Sequence, residues 1–550
     1  MSSMTEGPED LPRGAATFLQ KTARSLVEIQ PDLHTITDIV VFLEVLGYTN
    51  KQVAENGFVD LYDFAVHLHG FLDHYVDGSA AQAAAGGVLQ VPVSPASRRV
   101  GEALSLAFPW LSSLIVLFTF GVSLWLVYGL PLSITTSLII GLFLGLVASE
   151  GPMQVFQRLF VFHHDQGNLP EVRRVLKRSY YAIAVLIVAV TGLILLGGLL
   201  SGVPLSLVLL SSVAAVTMLT NRVSYVAIYA LKKFGQLVIS YALAIAALLC
   251  VFFLTDGFVP VTLTRYLDAL GVAFIVLAVA PIYYGYKVFS APSAASLTDE
   301  ARRSLNPLVV NSRTIRSRFR VQAWENAPYY AFGTLFFMMI FGDRVLSWMF
   351  NPVHVVDGVR LPLVFNTTYH LGADLALLVI FPAAIAQYVV MTPISEELTN
   401  LLVSTKVTET ESIDRFLRDR YTVLALASIL TSALAASVLV LLAPEIMARL
   451  GGPALSVRIL QVAALSNVLL STFSGNSLFL MFMNRTKSLV GIAAVSVCIL
   501  AVAGFFFAGT GFQNIVYAYL LSAATAMLLS FTQVNAVLER PGSIFFSRYT

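Results

Sequence analysis

The sequence has little charge for its length. Charged residues make up 12% of the 550 residues, about half of the ~25% that is typical of soluble domains. Residues of the set Ala, Val, Ile, Leu, Met, Phe, Trp, Tyr and Cys make up 57% of the chain. This balance excludes a soluble enzyme, a disordered chain and a collagen-like chain. The composition therefore indicates a polytopic membrane protein.

Cysteine, a signal segment and the common catalytic motifs are also scarce or missing. Cys250 and Cys498 both lie in apolar runs, so neither a disulfide framework nor a metal site is expected. The first 20 residues lack a basic region followed by an apolar one, and no cleavable secretory signal is expected. There is no Gly-Lys dipeptide, hence no Walker A loop, and no GxSxG or HExxH sequence. We expect a protein that moves a substrate, with no catalytic activity, cofactor, metal or nucleic-acid partner.

The first hundred residues differ from the rest. Residues 1–104 carry 6 basic and 13 acidic side chains, whereas residues 105–550 carry 28 and 19. Residues 1–77 are predicted to form a cytoplasmic helical module and residues 78–103 a linker. One helix has an apolar stripe at Phe58, Leu61, Phe64, Ala65, Leu68, Phe71 and Leu72. A metal site at His67, His69 and His74 is disfavoured because His69 points away and no fourth ligand is evident, so a docking module is the preferred interpretation.

Twelve apolar segments are long enough to cross a bilayer, the first at residues 105–127. Their connections repeat with a period of six segments, and short turns containing Pro131, Pro204 and Pro453 precede segments 2, 4 and 10. We predict an all-α polytopic protein of about 12 transmembrane helices in two pseudo-symmetric six-helix lobes, with a substrate path between them. The N-lobe covers residues 104–288, a cytoplasmic basic linker 289–325, the C-lobe 326–538 and a cytoplasmic tail 539–550.

The distribution of Lys and Arg predicts the orientation. With the N-terminus inside, 28 basic residues fall on the inner side and 4 on the outer side, while Arg222 and Arg344 lie within spans. Because basic residues concentrate in cytoplasmic loops, both termini are expected to be cytoplasmic.

Five charged residues inside the spans are the candidate functional groups. Such residues are costly in a bilayer and face the bundle interior or an aqueous cavity. Arg344 of span 7 and Asp374 of span 8 are expected at similar depth and could pair. The pair either stabilises a lobe or forms a charged cavity wall that meets the substrate or titrates during transport. The five candidates are Glu150, Arg222, Asp343, Arg344 and Asp374.

A group of aromatic residues lies near the inner ends of spans 6 and 7. It comprises Tyr283, Tyr284, Trp324, Tyr329 and Tyr330. These residues form either an interfacial aromatic belt or an inner gate on which sugar rings stack.

Span 7 carries a motif that resembles a known family. An aromatic, glycine-containing stretch from Ala327 leads into Asp343-Arg344 and then Trp348. It is similar to the seventh helix of the Pel exopolysaccharide transporters (PelG), a branch of the multidrug/oligosaccharidyl-lipid/polysaccharide (MOP) flippase superfamily. The resemblance covers about residues 100–540 and assigns the family pattern to Asp343 and Arg344. It implies polysaccharide export across the inner membrane of a Gram-negative bacterium, by alternating access or as a polymer conduit. A cytosolic glycosyltransferase and other inner-membrane subunits are the implied partners.

Other functions remain open from the sequence. A flippase for a lipid-linked oligosaccharide or peptidoglycan precursor would favour several cavity arginines, and the spans hold two. A drug/cation antiporter needs a titratable carboxylate, which Asp374 or Glu150 could supply. A major-facilitator carrier is disfavoured because residues 161–179 lack its fingerprint loop. A non-transporting scaffold subunit of a membrane polysaccharide synthase is a further alternative.

Overall fold

The computed structural model describes most of the apolar body and part of the N-terminal segment. The described residues are 18–19, 22–23, 36, 39–40, 43, 48, 53–54, 56–69, 95–124, 130–165, 169–256, 262–290, 319–404, 410–539 and 541. His74, most of the predicted linkers 78–103 and 289–325, and almost all of the tail lie outside them. The chain divides into two compact units, one of residues 1–93 with 396–408 and one of residues 94–395 with 409–550.

The first unit has a small apolar core of its own. The core includes Leu19, Ile39, Leu43 and Val53 together with five members of the predicted stripe: Phe58, Leu61, Phe64, Ala65 and Leu68. The last four of these lie on a helix over residues 61–69. Their spacing places them on one helix face, which is why they are buried together. Phe71 and Leu72 lie outside the described residues.

Within the described residues, twelve helices are long and apolar enough to cross a membrane, as predicted. We refer to them as spans 1–12. The N-lobe helices are Ala96–Phe120 (span 1), Leu132–Asp165 (2), Leu169–Leu200 (3), Leu205–Ser224 with Val226–Ala230 (4), Phe234–Leu254 (5) and Thr262–Ser290 (6). The C-lobe helices are Phe319–Met349 (7), Thr367–Ala376, Leu377–Val379 and Ile380–Ser404 (8), Thr410–Arg449 (9), Ala454–Phe482 (10), Thr486–Ala508 (11), and Phe512–Asn514 with Ile515–Leu538 (12).

The packing of the helices repeats after six spans. In the N-lobe, span 4 packs on spans 2 and 3, and span 5 packs on spans 1 and 6. In the C-lobe, span 10 packs on spans 8 and 9, and span 11 packs on spans 7 and 12. Each pair in one lobe thus has its counterpart six spans later. The two lobes meet along spans 2 and 7.

Proline and glycine set several helix ends. Pro204 and Pro453 directly precede spans 4 and 10, where the missing N–H is not needed. Span 1 ends at Phe120 because Gly121 takes the left-handed conformation (φ 72°) and closes the helix on the Leu117 carbonyl. The first helix therefore spans Ala96–Phe120 instead of the predicted 105–127. Hydropathy alone does not predict that a glycine ends the helix at this position.

Glycines let spans 2 and 7 approach closely at the lobe boundary. A Cβ on Gly151 would lie 2.9 Å from the Tyr330 carbonyl oxygen and 2.7 Å from the Thr334 hydroxyl. A Cβ on Gly333 would lie 2.9 Å from the Gln154 side chain. Small residues are what allow helix backbones to come this near in a membrane protein.

A short β-hairpin connects spans 7 and 8. Strands β1 (Val355–Val356) and β2 (Val359–Arg360) pair antiparallel around Asp357 and Gly358, which both have positive φ. Val356 and the following Leu361 and Val364 pack against Leu207 of span 4 in the N-lobe. We call the side of the helical unit that carries this hairpin the hairpin face, and the opposite side, where span 1 begins, the far face.

Candidate functional site

Arg344 is the centre of a buried charge network in the C-lobe. Its Nε donates to Asp374 Oδ1 (2.7 Å) and its Nη1 to Asp343 Oδ1 (2.9 Å). Nη1 and Nη2 also donate to the carbonyls of Ile340 and Ala373. Arg344 and Asp343 are fully buried, whereas 40% of the Asp374 side chain is exposed. The predicted proximity of Arg344 and Asp374 is therefore observed, and only Asp374 of the three reaches open space.

Two aromatic hydrogen-bond donors and a histidine complete this network. Trp348 Nε1 donates to His370 Nε2 (2.7 Å). His370 Nδ1 lies 2.8 Å from Asp374 Oδ2. The Tyr369 hydroxyl donates to Asp343 Oδ2 (2.8 Å).

The sequence reasoning missed the parts played by Trp348, Tyr369 and His370. One signal was available for His370, because it precedes Asp374 by four residues and therefore lies on the same helix face. No sequence signal linked Trp348 to His370, since their contact joins two different helices.

A second ion pair lies in the N-lobe. Arg222 of span 4 binds Glu150 of span 2 through Nη2 and Oε2. Gln154 Nε2 donates to the other Glu150 oxygen (2.9 Å). The Arg222 guanidinium also lies 5.2 Å from the centre of the Phe337 ring, which belongs to span 7 of the C-lobe. These two residues were predicted separately, and the fold joins them.

Two of the cavities contain candidate residues: one lies between the lobes, and the other is lined by N-lobe helices together with Phe337 of the C-lobe. The hairpin-side cavity, of about 160 Å³, is mostly apolar, and Asp374 is the charged side chain among its described lining residues. The far-side cavity, of about 320 Å³, contains the Glu150–Arg222 pair. Its other lining residues are Leu106, Pro109, Met153 and Met218, together with aromatic rings and amides from Trp110, Tyr225, Tyr229, Tyr241, Phe337, Gln154, Gln157 and Asn221.

Helix directions show that the two cavities are stacked along the helix axes. Span 1 runs towards the hairpin face and contributes Leu106 to the far-side cavity and Leu117 to the hairpin-side one. Span 7 contributes Phe337 and then, one turn later, Phe341 in the same order. Trp110 and Met218 line both cavities. They therefore lie at the boundary between the two cavities.

Contacts between the lobes lie on both sides of the stacked cavities. At the hairpin face, Asp357 accepts hydrogen bonds from the Ser133 hydroxyl (2.7 Å) and backbone N–H (3.1 Å). Towards the far face, Arg99 donates to the Val389 carbonyl (2.8 Å) and the Tyr388 hydroxyl donates to Glu102 (2.9 Å). The central space is thus bounded by interlobe contacts above and below.

Most other polar residues of the C-lobe spans bond within the lobe. Asn467 accepts from Tyr519 (2.5 Å), Asn476 accepts from Tyr421 (2.9 Å), and Gln387 donates to the Ser471 carbonyl (2.7 Å). These amides hold helices together and are not presented to the cavities.

Several solved structures share this architecture. A multidrug-resistance MATE family transporter of the MOP superfamily, in an outward-facing conformation, matches with a TM-score of 0.55 at 11% identity, covering 81% of this chain and 96% of its own. A MOP superfamily transporter from Pyrococcus furiosus matches with a TM-score of 0.55 at 10% identity, covering 81% and 96%. A eukaryotic MATE transporter matches with a TM-score of 0.52 at 11% identity, covering 83% and 97%. This chain has the MATE fold. No protein-family model and no curated protein matches the sequence.

The structure separates the five aromatic residues that were interpreted as either an interfacial belt or an inner gate. Tyr284 is buried in the N-lobe core, while Tyr283 and Trp324 are exposed, Trp324 by 77%. Tyr329 lies under the guanidinium of Arg158, 3.8 Å from it, and the Tyr330 backbone faces Gly151. None of the five lines either of the two cavities.

The described residues contain no group of three His, Cys, Asp or Glu side chains placed to hold a metal ion. Of the three histidines considered in the N-terminal module, His67 has its Nδ1 2.9 Å from the carbonyl of Asp63, one turn before it on the same helix.

Proposed function

We propose that this chain is a membrane transporter that exports an extracellular, Pel-like polysaccharide. The observation that carries the proposal is the lining of the far-side cavity. It offers ring faces and hydrogen-bonding amides side by side around a single, internally neutralised ion pair. A sugar unit presents both apolar C–H faces and hydroxyl groups, so a site of this composition suits it.

The path runs from the far-side cavity to the hairpin-side cavity between two similar lobes. Rocking of the lobes would break the interlobe contacts of one face and keep those of the other, which is alternating access around a midplane site. A polymer conduit would instead require both sets of contacts to open together. The resemblance of span 7 to the Pel exopolysaccharide transporters supports a polysaccharide as the cargo.

The proposed setting follows from the same resemblance. We place the protein in the bacterial inner membrane with both termini cytoplasmic. A cytosolic glycosyltransferase and other inner-membrane subunits of an export complex are the proposed partners. The acidic N-terminal module, with a core of its own, is the part of the chain we assign to docking one of them.

A drug/cation antiporter is the second candidate. Asp374 supports it, because this partly exposed carboxylate lies in the hairpin-side cavity. A flippase for an anionic lipid-linked precursor is less well supported. The charged residues that line the two cavities are two carboxylates and one arginine, which is unfavourable for a pyrophosphate.

The deciding experiment is a clean deletion of the gene, scored for secreted hexosamine polymer, drug tolerance and cell lysis, with the wild-type gene restored as control. We expect loss of polymer with normal growth and drug tolerance. Unchanged polymer with drug sensitivity would favour the antiporter, and lysis would favour a precursor flippase. Normal assembly of the synthase in the polymer-deficient strain would exclude a scaffold role.

A further inference from the structure

Trp110 is the aromatic residue that lines both the far-side and the hairpin-side cavity. It is half-buried on span 1, and with Met218 of span 4 it lines both cavities. Phe337 and Phe341 of span 7 line one cavity each, on the C-lobe side of the same levels. Trp110 therefore lies beside both cavities, on their N-lobe side.

Among the described residues, the indole ring of Trp110 has no hydrogen bond, ring contact or cation partner. Trp348 is different: it stacks on His370 at 5.6 Å with an interplanar angle of 11° and donates its N–H to the same residue. A tryptophan usually finds a partner for its N–H when buried. Trp110 thus presents a free ring face and a free donor to the cavities.

The neighbouring polar groups are mostly committed to the protein. The Tyr241 hydroxyl bonds to Asn221 (2.9 Å) and the Tyr225 hydroxyl to the Leu277 carbonyl (2.8 Å). Gln154 bonds to Glu150. Gln157 has no such partner within the described residues and lines the far-side cavity. An aromatic face with one uncharged donor beside it, and an amide deeper in the cavity, suits a neutral ring that carries hydroxyl or amide groups.

We propose that Trp110 is a cargo-binding residue on which a sugar ring of the cargo stacks as it passes between the two cavities. This inference rests on the proposed function and names the residue that would select pyranose rings. The ring face supplies dispersion and apolar contact, and the indole N–H supplies one directional hydrogen bond. Charge plays no part in this contact, because the Glu150 and Arg222 charges are paired with each other.

The test uses the full-length protein in lipid nanodiscs and an N-acetylhexosamine pentasaccharide as the probe. Trp110→Leu should weaken binding of the pentasaccharide by at least about tenfold, which corresponds to about 1.4 kcal/mol. Trp110→Phe keeps a ring face and should weaken it by less than about threefold. Trp324→Leu is the matched control, because Trp324 is exposed and lines neither cavity, and it should bind as the wild type does.

Equal binding by Trp110→Leu and wild type would overturn the inference, and so would a wild-type protein that does not bind the pentasaccharide. Export in the deletion strain separates this failure from failure of the proposed function. If the deletion abolishes polymer but Trp110→Leu, present at wild-type level in the membrane, restores it fully, the stacking role is wrong and the exporter stands. If the deletion secretes normal polymer, the proposed function itself fails.

Discussion

At the residue scale, the charge network of the C-lobe separates a structural group from an accessible one. Arg344 neutralises buried Asp343 and also binds Asp374. Removing one partner of a buried ion pair leaves an uncompensated charge, which typically costs about 3–5 kcal/mol. Because 40% of the Asp374 side chain is exposed, water can replace some of the hydrogen bonds that neighbouring residues make with it.

We predict that Arg344→Gln lowers the free energy of unfolding by about 3–5 kcal/mol, because it leaves Asp343 without its cation. The variant should have a lower melting temperature in detergent and a reduced level in the membrane. Asp374→Asn should accumulate at close to the wild-type level and instead reduce transport. Thermal unfolding and membrane immunoblots of the two variants measure the difference.

Arg449→Gln serves as the control for this comparison. Arg449 pairs with Glu445 at an exposed position, where an ion pair contributes little, and no measurable change in melting temperature is expected. An Arg344→Gln protein as stable as the Arg449→Gln protein would contradict the structural role assigned to Arg344.

At the element scale, the hairpin between spans 7 and 8 connects the lobes, because a residue of this hairpin caps a helix of the other lobe. Asp357 of the C-lobe accepts from the hydroxyl and backbone N–H of Ser133, at the start of span 2 in the N-lobe. Free N–H groups and the helix dipole make this end of a helix favourable for a carboxylate. The Phe365 N–H also donates to Thr136 Oγ1 in the next turn (3.1 Å).

The hydrogen bonds from Ser133, the side-chain hydroxyl first and the backbone N–H second, hold the pKa of Asp357 below its ordinary value. A carboxyl whose pKa is lowered in the joined state favours that state most when it is ionised. The stabilisation of the joined lobes by Asp357 is therefore complete above the ordinary carboxyl pKa. It is lost as the pH falls through the lowered pKa of Asp357. Acid should loosen the hairpin face.

We predict that Asp357→Asn increases the population in which the lobes are apart at the hairpin face, because an amide binds the helix terminus less well than a carboxylate. Spin labels at Leu205 and Val355, which are exposed on the N-lobe and the hairpin respectively, report the separation. In the wild type, the fraction of molecules with the larger distance between the two labels should grow as the pH is lowered. In the variant this fraction should depend less on pH.

The exposed Arg360 of strand β2 provides a matched control on the same hairpin. Arg360→Gln changes one charge without touching the contact to Ser133 and should leave the distance distribution unchanged. A distribution in Asp357→Asn that matches Arg360→Gln at every pH would show that the cap does not hold the lobes together.

At the scale of the whole molecule, an even number of crossings places the first and last span ends on the same side of the helical unit. The hairpin lies on the opposite side. The 28 to 4 division of basic residues predicts that the far face is cytoplasmic. The hairpin would then be on the outer side, and acid outside the cell would act on Asp357.

This orientation gives a direct prediction for intact cells. In a Cys250→Ser/Cys498→Ser background, a cysteine at exposed Val355 should react with a membrane-impermeant thiol reagent. A cysteine at exposed Lys232, in the turn between spans 4 and 5, should react only after the membrane is opened. The opposite pattern would invert the orientation and with it the direction assigned to the path.

Sequence reasoning determined the architecture because each of its elements has a local cause. Twelve spans were predicted from apolar runs of membrane length and from proline at helix starts. Two lobes were predicted because the connections repeat after six spans, and the packing of the helices repeats in the same way. The cost of burying charge in a bilayer identified Glu150, Arg222, Asp343, Arg344 and Asp374 from their positions alone.

Only the tertiary structure decided with which groups those charges pair and where the cavities lie. The pairing of Glu150 with Arg222, and of Trp348 with His370, joins residues of different helices. Such contacts depend on how each helix is rotated about its axis and how deep it lies. A sequence period does not determine these two quantities precisely enough to predict a hydrogen bond. For the same reason the five aromatic residues near the inner ends of spans 6 and 7 lie on several surfaces, while Trp110, an aromatic residue in an apolar run, lines both cavities.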